Sequence, residues 1–103
     1  MGKGNPIYGH VASARDVSKI GSMIRRDMKK VKNRAELTEL VKRAQYLMTL
    51  SGSWNSKPSP AWSELIKKNP KIKTAVKRQY KLCCDLANAI VKKRGWGPAN
   101  YGP

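Results

Sequence analysis

The chain has 103 residues and carries 22 Lys and Arg against six Asp and Glu, a formal net charge of +16. Solubility asks only roughly 2–8 charges of so small a domain, and the excess repels itself in the folded state unless a polyanion neutralises it. This size limits the chain to one domain with a modest core; the lack of Phe leaves that core to Leu, Ile, Val, Met and Ala, and no apolar run approaches a membrane span.

Residues 1–10 (MGKGNPIYGH) hold three Gly, one Pro and Lys3, which predicts a flexible basic arm. The arm lacks the apolar stretch of a secretory signal, so the chain is expected to start near Met1. The first helix is predicted from about Ala12 to Lys32, with Ser13 as its cap and Asp16 three residues on. Val17, Ile20, Ile24, Met28 and Val31 recur at spacings of three and four and form one apolar stripe. At about 100° per residue, Arg15, Lys19, Arg25, Arg26, Lys29, Lys30 and Lys32 fall on the opposite face, with Asp16 and Asp27 at its boundary. Gly21 interrupts the pattern at a cost near 1 kcal/mol relative to Ala, which points to a bend or a close approach.

Asn33 and Glu36 form a second capping signature. Leu37, Leu40, Val41, Ala44, Leu47 and Met48 then make an apolar face that Ser51 and Gly52 terminate. Only Arg34, Lys42 and Arg43 are basic here, so this helix reads as a structural partner. Residues 52–60 (GSWNSKPSP) are a loop, and Ser59-Pro60 starts a short helix with Trp62, Leu65 and Ile66 inward. Asn69-Pro70 starts the last helix, about Pro70 to Arg94. Ile72, Ala75, Val76, Cys83, Leu86, Ala87 and Ile90 line its apolar side, with Lys73, Lys77 and Lys81 four apart on the other and Arg78 beside them. Gly95 ends it, and residues 96–103 are too rich in Gly and Pro for regular structure. The expected fold is all-α: one four-helix bundle-like domain over residues 11–95, flanked by the arm and the tail.

Catalytic chemistry finds little footing. His10 is the sole histidine and lies in the arm; one His and two adjacent Cys cannot complete a four-ligand zinc site, and the carboxylates are not paired for acid–base work. No enzyme activity, metal or cofactor is expected. Cys83 lies on the apolar stripe and is read as core, whereas Cys84 lies off it and is expected to be exposed. Trp54, Trp96 and Tyr101 fall in loop or tail and are read as anchors of subunit contacts rather than base-stacking platforms.

The basic faces point instead to nucleic acid. Solvated Lys-rich faces normally interleave acids, and these do not. Sixteen surplus charges neutralise on the order of 8 base pairs, and a helix near 30 Å long approaches one duplex turn, an arithmetic that suits coating more than reading one short site. The candidate nucleic-acid-binding residues are Lys3, Arg15, Lys19, Arg25, Arg26, Lys29, Lys30, Lys32, Lys73, Lys77, Arg78 and Lys81. No Asn or Gln lies on the binding face of the first helix, so phosphate contacts with weak sequence preference are expected.

This layout resembles the α-helical major coat proteins of filamentous archaeal DNA viruses, of the rudivirus and lipothrixvirus type. The likeness rests on the basic arm, the helical bundle, the Asn69-Pro70 start of the last long helix with Ile72 and Ala75-Val76, and the tail residues Gly97, Pro98, Tyr101 and Gly102. It implies a virion nucleocapsid protein, made in the host cytoplasm, that packages linear double-stranded DNA as a dimer and filament with itself or a related coat protein. In that setting Arg15, Lys19, Arg25, Arg26, Lys29 and Lys30 would face the DNA, held in A-form. The chain has more Lys than the resemblance leads one to expect, which leaves the last helix's ladder open to DNA, solvent or lipid headgroups. Two other readings are a helix-turn-helix transcription regulator or chromatin protein, built on the last two helices, and a membrane-surface protein. Against the regulator, Lys68-Asn69-Pro70 lacks the small-residue turn of that motif.

Overall fold

The computed structural model describes residues 11, 13–52 and 57–102. The basic arm with Lys3 and His10, together with Trp54, lies outside the described residues. Within them the chain is all-α, with α1 (Ala14–Met28), α2 (Arg34–Leu50), α3 (Pro60–Lys68) and α4 (Lys71–Arg94) packed into one bundle-like domain.

Local chemistry sets most boundaries. Ser13, in extended backbone, accepts the Asp16 N–H on its hydroxyl at 3.4 Å and so caps α1. Asn33 caps α2 by accepting the Glu36 N–H at 2.9 Å, while the Glu36 carboxylate accepts from the Lys32 N–H at 2.8 Å. Pro60 opens α3, and Gly95, at φ 67, closes α4 in the left-handed conformation. The Trp96 N–H reaches back to the Val91 carbonyl at 3.1 Å across that turn.

Two expected boundaries shift. Helix α1 stops at Met28 rather than Lys32, so Lys30 and Lys32 sit in the α1–α2 connection and Lys29 in the cap position. There Arg94 on α4 donates to the Val31 carbonyl at 2.5 Å and the Lys29 carbonyl at 3.3 Å, which satisfies acceptors that have no intrahelical partner past the end of α1. Helix α4 begins at Lys71, with Pro70 as its cap and Asn69 closing α3, so the two helices almost abut.

The core joins the predicted stripes of α1, α2 and α4. Val17, Met28, Leu37, Leu47, Ile72 and Val76 are among its fully enclosed side chains, and Trp62 on α3 closes one end. Burying each such aliphatic side chain contributes about 1.5–3 kcal/mol. Helices α1 and α4 run parallel as the principal packed pair: Gly21 of α1 meets Gln79 and Cys83 of α4, and farther along both chains Arg94 reaches Lys29 and Val31. A methyl at Gly21 would stand 2.0 Å from the Gln79 Oε1, so the close approach is what the glycine provides.

Residues 96–102 are irregular, as expected, yet they dock. Arg34 Nη1 donates to the Trp96 carbonyl at 2.8 Å, Nη2 donates to Asn100 Oδ1 at 3.2 Å, and the guanidinium lies 5.2 Å from the Tyr101 ring centroid. Tyr101 shares a 2.7 Å hydrogen bond with the Thr38 hydroxyl and exchanges two bonds between its backbone and the Asn88 side chain. Arg94 stacks 4.9 Å from the Trp96 ring centroid. Trp96 and Tyr101, expected to anchor subunit contacts, therefore have partners within their own chain. Cys84, expected at the surface, is buried because the tail lies over it, with Gly102 against its side chain.

Candidate nucleic-acid interface

Helix rotation places the α1 cations on two adjacent lines. Arg15, Lys19 and Arg26 point straight away from the core, within about 40° of one another, and Ser18, Ser22 and Arg25 lie on the flank toward α4. The first line, with Ser18, Ser22 and Met23, surrounds a shallow depression on the outer surface of α1. The second borders a groove between α1 and α4 lined by Ser18, Arg25, Lys71, Thr74, Arg78 and Leu82, floored by Ala75 and Gln79. Ser18 belongs to both, so the two depressions form one surface carrying Arg15, Lys19, Arg25, Arg26, Lys71 and Arg78. No carboxylate lines either part.

The electrostatics of this face oppose the stability of the isolated fold. Arg15 shares the first turn of α1 with Asp16, whereas α4 opens with Lys71 and Lys73 and no acid. A helix N-terminus disfavours cations by about 0.3–1 kcal/mol each, and because α1 and α4 are parallel these costs gather at one end of the domain. An anionic ligand reverses the sign of that interaction. Ion pairs among the described residues include Lys42 with Glu39, Lys67 with Glu64, and Lys81 with Asp85, each away from this face.

The predicted site residues that are described separate into three groups, with Lys73 apart from them. Arg15, Lys19, Arg25, Arg26 and Arg78 meet on the face just described. Lys29, Lys30 and Lys32 continue beyond α1; Lys30 borders a cleft between α1 and α2 whose wall includes Asp27, Glu36 and Glu39. Lys77 and Lys81 border a different depression, with Met48, Tyr80, Cys84, Tyr101 and Gly102, on the tail side of α4. Lys73 is half-buried at the start of α4. The evenly spaced ladder of α4 thus turns away from α1. Lys71, which the spacing argument overlooked, takes its place in the groove; its signal was the i, i+7 relation to Arg78, two helical turns along the same side.

The ionisable groups beneath the surface are held neutral. Burial raises the Cys83 thiol pKa against the opposing influence of the Arg25 guanidinium. Burial likewise raises Cys84 and Tyr80 on the tail side. Comparisons with protein-family models, curated proteins and solved structures return no match to the chain, so this face is read from its own chemistry.

Proposed function

We propose that the protein is a structural DNA-binding protein that coats linear duplex DNA through phosphate contacts along the α1–α4 face, independent of base sequence. One observation carries the reading: six cations and several hydroxyls cover a continuous surface from which every carboxylate is absent. Arg and Lys bind phosphate oxygens as charge-assisted donors, and Ser18, Ser22 and Thr74 add neutral ones. The amide on this face, that of Gln79, is buried and already engaged by Arg25, which removes it from base-edge recognition.

A net charge of +16 on 103 residues suits a protein used in many copies along one polymer. With the coat-protein resemblance, it supports assembly of this chain, or a related one, into a helical nucleoprotein filament, the nucleocapsid of a virion.

Electron microscopy of the purified protein with linear duplex tests this. Continuous filaments with a constant number of base pairs per chain are the expected outcome. Isolated particles that protect a single operator against competitor DNA would replace the coat with a regulator. Binding to anionic vesicles without affinity for duplex at moderate salt would replace it with a membrane-surface protein.

A further inference from the structure

Three features of the α1–α4 contact are each unfavourable alone: a glycine within helix α1, a glutamine within the core, and an arginine drawn partly out of water. They are joined. Gly21 leaves the space that the Gln79 side chain fills, and the Gln79 Oε1 accepts a 2.5 Å hydrogen bond from Arg25 Nη1. Arg25 Nη2 also approaches the Ser22 hydroxyl at 3.4 Å, and the Cys83 thiol lies on its inner side. Arg25 is half-buried, in contrast to the exposed Arg15, Lys19 and Arg26 of the same helix.

We propose that the α1–α4 groove is a built phosphodiester site, in which Gln79 fixes the Arg25 guanidinium so that its remaining donors meet a backbone phosphate between Arg25 and Arg78. The proposal rests on the DNA-binding reading and adds to it a particular residue and a positioning partner. A guanidinium has five N–H donors in a rigid plane. Anchoring one edge to a buried amide removes rotational freedom before the ligand arrives, so less is lost on binding. Arg25 lines the groove, where Arg78 and Lys71 supply charge from α4 and Ser18 and Thr74 offer hydroxyls. Ordinary surface cations track the polymer as a diffuse charge, whereas a fixed fork engages one phosphate with two parallel bonds. Lys cannot reproduce that geometry.

Charge-conserving variants of the full chain separate this site from general electrostatics. With a short random-sequence duplex at moderate salt, Arg25→Lys is expected to weaken binding about tenfold while Arg26→Lys changes it less than about twofold. Gln79→Met, which keeps the side-chain length and removes the acceptor, is expected to match the Arg25→Lys loss. The double variant is expected to be no weaker than either single one, because both break one unit. The Arg25 Nε–H signal in nitrogen-15 spectra should shift on adding duplex, a response that a purely structural arginine would not show. Equal losses for Arg25→Lys and Arg26→Lys, or an Arg25 signal unmoved at saturating duplex, would overturn the phosphodiester site and leave the broader DNA-binding face standing. A wild-type protein that fails to bind duplex would remove both.

Discussion

The two sides of α4 use their cations in opposite ways. Toward α1, Arg78 and Lys71 join Arg15, Lys19 and Arg26 on a surface without carboxylates, and their charge is left to the solvent. Toward α2 and the tail, charge is consumed internally. Arg34 fastens the tail, Arg94 ties the α1–α2 connection to the end of α4, and Lys81 pairs with Asp85. The cleft between α1 and α2 gathers Asp27, Glu36 and Glu39. Net charge alone therefore understates the asymmetry: cations on one side hold the fold, and those on the other face solvent.

Disrupting the tail side should cost stability and spare DNA affinity. Arg34→Ala removes two hydrogen bonds and a cation–π contact, and is expected to destabilise the domain by about 2 kcal/mol, a fall in melting temperature on the order of 10 °C. The same variant should make Cys84 react readily with a thiol reagent, because the tail that covers it loses its main fastening. Unchanged melting and a still-protected Cys84 would show that the tail docks without Arg34.

A smaller effect should appear with pH. Burial raises the pKa values of Cys83, Cys84 and Tyr80 in the folded protein. Groups raised on folding contribute their stability fully below the unfolded pKa and lose it as pH climbs through the folded one. Their melting contribution should be level through neutrality and decline above about pH 8.5, where unfolded thiols begin to ionise. Cys84→Ala should shallow that decline in thermal melts recorded across the alkaline range. A decline of the same depth in the variant would assign the loss to other groups.

Much of the fold could be read from spacing. The α1 stripe of Val17, Ile20, Ile24 and Met28, the caps Ser13 and Asn33, Pro60 at the head of α3 and Gly95 after α4 are local signals, and each has the expected place. What spacing does not encode is how one helix is rotated against its neighbour. Lys73, Lys77 and Lys81 align along a helix wherever it packs, yet only the fold decides that Lys77 and Lys81 border the tail. Gln79 looks like a surface residue until Gly21, 58 positions earlier, is known to face it. Tail docking depends on pairs separated by more than 60 residues, such as Arg34 with Trp96 and Thr38 with Tyr101.

Moving charge loss from one side of the molecule to the other tests the account most directly. One variant replaces Arg15, Lys19, Arg26, Lys71 and Arg78 with Gln; a second replaces Lys42, Arg43, Lys67, Lys77 and Lys81, so both lose the same net charge. Titration with duplex over a range of salt should show the dependence of log affinity on log salt falling by about 4–5 in the first variant and by less than about one in the second. Equal falls in both would contradict a localised binding face and reduce the protein to a diffuse polycation.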